Sequence, residues 1–202
     1  MLDLGIVIVN WNTCELLRKC LKTVYASTGD FTYMVVVVDN ASGDGSAEMV
    51  AREYPRARLI DSPENLGYPK GNNLGLRALG YHGQGDVAED APRYALLLNP
   101  DTEVPPDAFQ QMIHFMDEHP DIGAAGPKLV LPDGSLDKAC RRSFPSPLVS
   151  AYHYMGLAKL FPKSPQFGRY NMTYLDPDVE TEVDSVVGAY MQVRREAIAQ
   201  VG

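Results

Sequence analysis

Four short apolar runs, each bounded by polar residues, organise the first half of the chain. They span residues 4–9, 34–38, 57–60 and 94–98. The first two runs are continuous and rich in β-branched residues, which is typical of strands buried on both faces of a parallel sheet. Residues 94–98 predict a further strand, and residues 57–60, which include Arg58, predict a weaker one. Between the four runs, apolar residues recur at helical spacing. The pattern therefore predicts an α/β fold with a mostly parallel central sheet, right-handed crossovers and flanking helices.

Two helix starts are marked by local signals. Asn12 is followed three residues later by Glu15, a variant of the capping box, so Asn12 is the predicted N-cap of the first helix. Pro106 suits the first turn of a later helix. The apolar residues of that helix follow the i, i+3, i+4, i+7 rule: Phe109, Met112, Ile113 and Met116.

The second half of the chain has weaker periodicity. Residues 144–178 are rich in Pro, Tyr and Phe, which predicts a loop region with one short helix near Ser150 to Leu160. Residues 80–92, with three glycines, predict an exposed insertion. Further elements are expected as strands at 123–130, 183–187 and 189–193 and a helix from 194 to 201.

Polar residues cluster where three of the predicted strands end. The clusters are Asn10-Trp-Asn12, Asp39-Asn40 and Asn99-Pro-Asp101. Parallel sheets bind their ligands at the carboxyl ends of the strands, so these clusters should share one edge. Trp11 could stack on a ligand base there, but we expect it to pack in the core.

Each cluster has a structural alternative. Asp101 could hold Mg²⁺ or Mn²⁺ with water and phosphate oxygens, or simply complement the dipole of the following helix. Asp39 could accept hydrogen bonds from a ribose or a base, or its loop could be a helix cap formed by Ser42 or Asp44.

Two small-residue segments are equally ambiguous. Residues 65–73 lead into a helix whose backbone N–H groups could face an anion, the alternative being a turn and cap. Gly188 could let a ligand approach the backbone, the alternative being a β-bulge. The pairs Arg141-Arg142 and Arg194-Arg195 could contact phosphates.

Composition removes several classes of protein. The net charge of −8 argues against broad nucleic-acid binding. The glycine-rich dinucleotide-binding motif, the P-loop and the nucleophile elbow of α/β-hydrolases are all absent. The three cysteines do not form a disulfide framework, and the four histidines lack metal-ligand spacing. With no apolar run long enough to span a bilayer and no signal peptide, a reducing cytoplasm is the expected compartment.

Five motifs, taken in order, resemble family 2 glycosyltransferases, in particular the rhamnosyltransferase-type enzymes of bacterial surface polysaccharide synthesis. The motifs occupy residues 6–12, 38–46, 65–73, 98–102 and 187–195. The resemblance implies a single GT-A domain, with a nucleotide-binding half at 1–104 and an incomplete acceptor-side half at 105–202. It also implies inverting transfer of a sugar from a nucleoside-diphosphate donor, dTDP-rhamnose-like or a UDP-sugar.

The same resemblance assigns roles to residues of this chain. Asp101 would hold Mn²⁺ or Mg²⁺, with Asn99 replacing the first Asp of the D-x-D motif, and Gly188 and Ala189 would lie on the acceptor side. Asp39 would recognise the nucleoside. The other residues expected along the nucleotide are Val9, Asn10, Gly67, Asn72, Asn73 and Asn99.

The family's general base should lie beyond Gly202, so we expect the chain to be a fragment that binds nucleotide but transfers sugar poorly. The acceptor is expected to be a glycan or a lipid-linked glycan at the inner face of the cytoplasmic membrane, with any membrane contact peripheral. Two alternatives remain: a catalytically incompetent nucleotide- or carbohydrate-binding module, and a sugar nucleotidyltransferase. The second is disfavoured because no basic Gly-rich loop follows the first strand.

Overall fold

The computed structural model describes all 202 residues, which divide into two units. The first unit contains Met1–Ala125 and Gly188–Gly202, and the second contains Gly126–Val187. All the residues assigned to a nucleotide, a metal or the acceptor side belong to the first unit.

A six-stranded sheet is the centre of the first unit, in the order β3-β2-β1-β6-β8-β7. The first four of these strands are parallel, and β8 runs antiparallel to both β6 and β7. This confirms the predicted α/β fold with a mostly parallel sheet. The strands of the unit are β1 (Leu4–Asn10), β2 (Tyr33–Asp39), β3 (Arg58–Asp61), β4 (Tyr81–Gly83), β5 (Asp86–Val87), β6 (Tyr94–Leu98), β7 (Ala124–Ala125) and β8 (Tyr190–Arg194).

Five helices accompany the sheet: α1 (Cys14–Tyr25), α2 (Ser46–Glu53), α3 (Gly67–Ala78), α4 (Ala108–Glu118) and α7 (Arg195–Val201). The four apolar residues predicted to form one face of α4 are all buried, which confirms the helical spacing. Helix α3 lies very close to β1, because a Cβ atom on Gly71 would be only 2.8 Å from Cγ1 of Val9. A glycine there lets the start of α3 reach the carboxyl edge of the sheet.

The predicted cap of the first helix is wrong. Asn12 has φ +52° and lies outside α1, and the N-cap position is Thr13, whose side chain makes no capping bond. Instead, Oδ2 of Asp44 accepts a hydrogen bond from the backbone N–H of Cys14 at 2.8 Å. The cap comes from a loop 30 residues away, which local sequence spacing does not reveal.

Three other predicted segments need correction. Residues 80–92 include the antiparallel pair β4–β5, with Tyr81 buried and its hydroxyl bonded to the Pro92 carbonyl, so the segment is not simply exposed. The strand expected at 123–130 is limited to β7. The strand expected at 183–187 is reduced to one isolated bridge, between Arg142 and Ser185.

The second unit is largely irregular, as the lack of period predicted. It contains two helices rather than one, α5 (Pro147–Tyr154) and α6 (Leu157–Leu160), and a 3-10 turn at Lys138–Cys140. A salt bridge joins Lys128 to Asp178 at 2.6 Å. No helix in either unit has both the length and the apolar character needed to cross a bilayer.

Candidate functional site

A buried polar pair closes the carboxyl ends of β1 and β2. Asn10 and Asp39 are register partners, and both are almost completely buried. Asn10 donates from Nδ2 to Oδ1 of Asp39 at 2.9 Å, and the Ser42 backbone N–H donates to Oδ2 of Asp39 at 2.8 Å. A carboxylate can accept about four hydrogen bonds, so these two bonds leave Asp39 with unused acceptor capacity.

The loops after β1 and β2 are cross-linked to each other. Oγ of Ser42 accepts from the Asn12 backbone at 2.9 Å, and Oδ1 of Asn12 accepts from the Gly43 backbone at 2.8 Å. The Asp44 carboxylate accepts hydrogen bonds from the first backbone N–H of α1, in Cys14, and from the first backbone N–H of α2, in Ser46. Burial alone would raise the pKa of Asp44, but the hydrogen bonds from Ser46 and Cys14 outweigh it and lower that pKa.

Asn40 joins this loop to the start of α3. Its Oδ1 accepts from the Leu66 backbone at 3.2 Å, and its Nδ2 donates to the Gly67 carbonyl at 3.3 Å. Gly67 has φ +72°, a conformation that suits glycine. The structure thus brings Gly67 to the same edge as Asn10 and Asp39.

The two asparagines predicted on α3 differ in environment. Asn72 is buried, and its Nδ2 donates to the Tyr68 carbonyl one turn earlier at 2.9 Å. Asn73 is exposed. Asn72 therefore uses its amide N–H within its own helix, whereas the side chain of Asn73 lies in solvent.

The turn after β6 contacts the segment that precedes β8. The Asn99 backbone donates to the Ala189 carbonyl at 3.1 Å, and Thr102 donates from Oγ1 to the same carbonyl at 3.3 Å. The Tyr68 hydroxyl donates to the Gly188 carbonyl at 3.0 Å. Asn99, predicted to lie along the nucleotide, and Ala189, predicted for the acceptor side, are therefore neighbours although they are about ninety positions apart in sequence.

Strand β1 lies between β2 and β6, with Ile8 paired to Leu98 and Asn10 paired to Asp39. Two inter-strand spacings place the ends of β2 and β6 roughly 10 Å apart. Both ends face the same edge of the sheet, so the three predicted polar clusters do converge. Val9, which borders the cluster, is buried beneath Gly71.

Two exposed carboxylates, Asp101 and Glu103, follow the end of β6. Burial raises the pKa of the nearby Cys20 thiol to about 12, and the negative charges of Asp101 and Glu103 contribute to the shift. No group of three or more His, Cys, Asp or Glu side chains is arranged to hold a metal ion. The exposed carboxylate of Asp101 fits a hard cation that keeps most of its coordination for water and phosphate oxygens, and no closed protein cage surrounds it.

Trp11 corrects a prediction. The side chain, expected to pack in the core, is 56% exposed beside Asn10. An exposed indole at a polar strand end can stack on a base. The sequence indicated Asn40 only as part of a polar cluster and Ser42 only as a possible helix cap, and it gave Tyr68 no role of its own. In the structure all three form hydrogen bonds between separate segments of the site.

Arg194, the last residue of β8, and Arg195, the first residue of α7, donate hydrogen bonds to backbone carbonyls of the chain. Arg194 donates to the carbonyls of Ile122, His119 and Met116, and Arg195 donates to three carbonyls in residues 88–91. A cavity of about 160 Å³ beside them is smaller than ordinary ligand pockets. It lies at the opposite edge of the sheet from Asp39.

The family described as "Glycosyl transferase family 2" matches residues 5–201. The chain belongs to glycosyl transferase family 2. This membership decides against the nucleotidyltransferase alternative and confirms the resemblance carried by the five motifs.

Two bacterial relatives of this family 2 chain are named for rhamnosyl transfer and for succinoglycan biosynthesis. It is 30% identical over 200 residues to an N-acetylglucosaminyl-diphospho-decaprenol L-rhamnosyltransferase of Mycobacterium tuberculosis, covering 98% of this chain and 64% of that protein. It is 27% identical over 183 residues to the succinoglycan biosynthesis protein ExoO of Rhizobium meliloti, covering 88% of this chain and 47% of that protein. The chain thus spans less than two thirds of either relative.

Solved structures show the fold. S. aureus TarS 1-349 in complex with UDP superposes with a TM-score of 0.52 at 18% identity, covering 73% of this chain and 39% of that one. The same protein in complex with UDP-GlcNAc gives a TM-score of 0.51 at 17% identity, covering 85% and 52%. The family 2 chain therefore has the GT-A glycosyltransferase fold, as predicted.

Proposed function

We propose that this chain carries the donor site of an inverting glycosyltransferase. The enzyme takes a sugar from a nucleoside diphosphate, dTDP-rhamnose-like or a UDP-sugar, and passes it to a glycan or lipid-linked acceptor in bacterial surface polysaccharide synthesis. The observation that carries the proposal is the buried Asn10–Asp39 pair, whose carboxylate keeps acceptor capacity at the edge where Asn99 and Asp101 also lie.

Each group at this edge has a task in binding the donor. Asp39 accepts from the ribose or the base, Val9 and Asn10 border that pocket, and the exposed Trp11 ring covers the base. Gly67 and Asn73 follow the nucleotide towards the diphosphate. Because Asn10 and Ser42 fix both oxygens of Asp39, the carboxylate needs little reorganisation when the nucleoside binds.

Asp101 would hold a Mn²⁺ or Mg²⁺ ion, and Asn99 would lie along the nucleotide beside it. A bound cation supplies positive charge against the diphosphate as that group leaves. Gly188 and Ala189, held by Tyr68 and Asn99, form the adjacent wall on the acceptor side. Burial raises the pKa of the Tyr68 phenol, so its hydroxyl remains a donor to Gly188 at neutral pH.

The residue that takes the proton from the acceptor hydroxyl is proposed to lie beyond Gly202. The enzyme is proposed to act in the cytoplasm at the inner face of the membrane, where a lipid-linked acceptor would be available. The 202-residue chain is accordingly expected to bind nucleotide and to transfer little or no sugar.

Quenching of Trp11, the single tryptophan of the chain, tests the donor site directly. dTDP, UDP and GDP are titrated with and without Mn²⁺. We expect saturable quenching that Mn²⁺ strengthens, and Asp101→Asn should abolish most of the Mn²⁺-dependent gain, about tenfold in affinity.

Glu103→Gln is the matched control, because Glu103 is equally exposed two residues away. It should retain the Mn²⁺ effect. Sugar binding that needs neither nucleotide nor metal would support a carbohydrate-binding module instead. Turnover equal to that of a longer version of the protein would contradict a general base beyond Gly202.

A further inference from the structure

The segment 138–175 of the second unit carries no acidic residue. It holds six cations, whereas the average frequency of Asp and Glu in the chain would place about five acids in a segment of this length. The remaining residues hold 12 Lys and Arg against all 26 Asp and Glu, a net charge of −14. Positive charge is thus concentrated in one part of an acidic chain. The six cations are Lys138, Arg141, Arg142, Lys159, Lys163 and Arg169.

Most of these cations are available to an external partner. Five of the six are exposed, and the ion pairs of the second unit use none of them. Only Arg141 is occupied, donating to the carbonyls of Leu175 and Asp176. An acidic residue also contacts this segment, because Oδ2 of Asp184 accepts a hydrogen bond from the Phe144 backbone at 3.1 Å. Attraction between surface charges decays over about 8 Å at physiological salt, so the exposed cations act on a partner at short range.

Large apolar side chains are exposed within the same segment. Tyr154 is 83% exposed, Met155 is 72% exposed and Leu160 is 71% exposed, around the turn that joins α5 to α6. Phe144, Leu148 and Phe161 are exposed as well. The inner side of α5 is already packed, with Val149 buried and the His153 ring stacked on Tyr170 at 4.2 Å.

We infer that the α5–α6 face, residues 144–163, docks on an anionic phospholipid surface. Exposed Leu, Met, Tyr and Phe next to lysines are the combination that binds the boundary between headgroups and acyl chains. Nearby Lys and Arg add attraction to anionic headgroups. The inference rests on the proposed function and deepens it, because a lipid-linked acceptor lies in a bilayer and the enzyme would have to bind there.

Co-sedimentation with vesicles tests the inference without nucleotide or turnover. The chain is mixed with vesicles of equal parts phosphatidylglycerol and phosphatidylcholine, or with phosphatidylcholine alone. We expect binding to the anionic vesicles that weakens as salt is added. Lys159→Glu/Lys163→Glu should lower the partition coefficient by about fivefold for each cation lost, and Leu160→Ser should lower it by about tenfold.

Lys19→Glu/Lys22→Glu is the matched control, since both lysines are exposed on α1 of the first unit and the change in net charge is identical. It should change the partition coefficient by less than about twofold. Equal binding to both kinds of vesicle, no binding, or an equal effect of the control would overturn the inference. So would a dimer in sedimentation velocity that Leu160→Ser dissociates, because a second copy would then cover the face.

Failure of this test is distinguishable from failure of the proposed function. Nucleotide quenching of Trp11 reports the first unit alone, whereas vesicle binding reports residues 144–163. Nucleotide quenching of Trp11 without vesicle binding would support the donor site and contradict the inference that residues 144–163 bind a membrane.

Discussion

The two edges of the central sheet use polar residues in opposite ways. At the edge where β1 begins, Arg194 donates to the carbonyls of Ile122 and His119 and lies 5.3 Å from the Tyr94 ring centre. Arg93 pairs with Asp3 and Asp117. At the edge where β1 ends, Asp39 has spare acceptor capacity and Asp101 is exposed.

The difference separates structure from function within one unit. Charged groups whose partners all come from the chain stabilise the fold and offer little to a ligand. Carboxylates held in place but incompletely paired are ready for an external donor or cation. The edge with the cavity is therefore not the proposed binding edge, although it contains three arginines.

Arg194→Ala should have the largest effect on stability. Several backbone carbonyls would lose a charged donor, so we expect the free energy of unfolding to fall by about 3 kcal/mol. Urea denaturation measures the loss, and Arg77→Ala, at an exposed position on α3, is the control. The nucleotide affinity of the folded variant should be unchanged. A large loss of nucleotide affinity would show that the edge with the arginines also takes part in binding.

Asp39→Asn should mainly affect binding. An amide cannot accept from both Asn10 and the Ser42 backbone as the carboxylate does, and it loses the charge that attracts ligand donors. We expect nucleotide affinity to fall about 10- to 100-fold and stability to fall by about 1–2 kcal/mol. Trp11 quenching and urea denaturation measure the two effects.

Asp61→Asn is the matched control for Asp39, because Asp61 is its register partner at the exposed end of β3. Both readouts should stay near those of the parent chain. Equal losses in the two variants would mean that the edge responds to charge in general and not to the Asn10–Asp39 pair.

Asp44→Ala should have the smallest effect, about 1 kcal/mol, because it removes hydrogen bonds to two helix N-termini. The pKa of Asp44 is lowered in the folded chain, so the ionised form stabilises the fold. The stability difference from the parent chain should be complete above the ordinary Asp pKa of about 3.9 and disappear as pH falls through the lowered value. Asp90→Asn, a change at an exposed carboxyl, is the control and should leave the free energy of unfolding close to that of the parent chain in urea denaturation.

The strands and most helices of the first unit could be predicted because their signals are local. The buried strands are continuous apolar runs, and α4 follows the helical period. Strand prediction failed at 123–130 and 183–187, where only Ala124 and Ala125 pair with β8 and only Ser185 forms a bridge. Strand formation depends on such partners more than on the run itself.

The candidate site was predictable in outline. Parallel order alone places Asn10, Asp39 and Asn99 at one edge, and the structure does so. The contact of Tyr68 with Gly188 was not predictable, because it joins residues 120 positions apart. The nucleotide, metal and acceptor roles of these residues stay predictions.

The sequence by itself determined the alternation of strands and helices, the family and the strand ends at which polar residues gather, because these depend on local period and on residue type. Only the tertiary structure decided which polar groups are already satisfied. Asp44 rather than Asn12 accepts the hydrogen bond from the first N–H of α1, and Arg194 donates to backbone carbonyls and not to a phosphate. Such pairings depend on strand register and loop geometry, which bring together atoms that no local pattern relates.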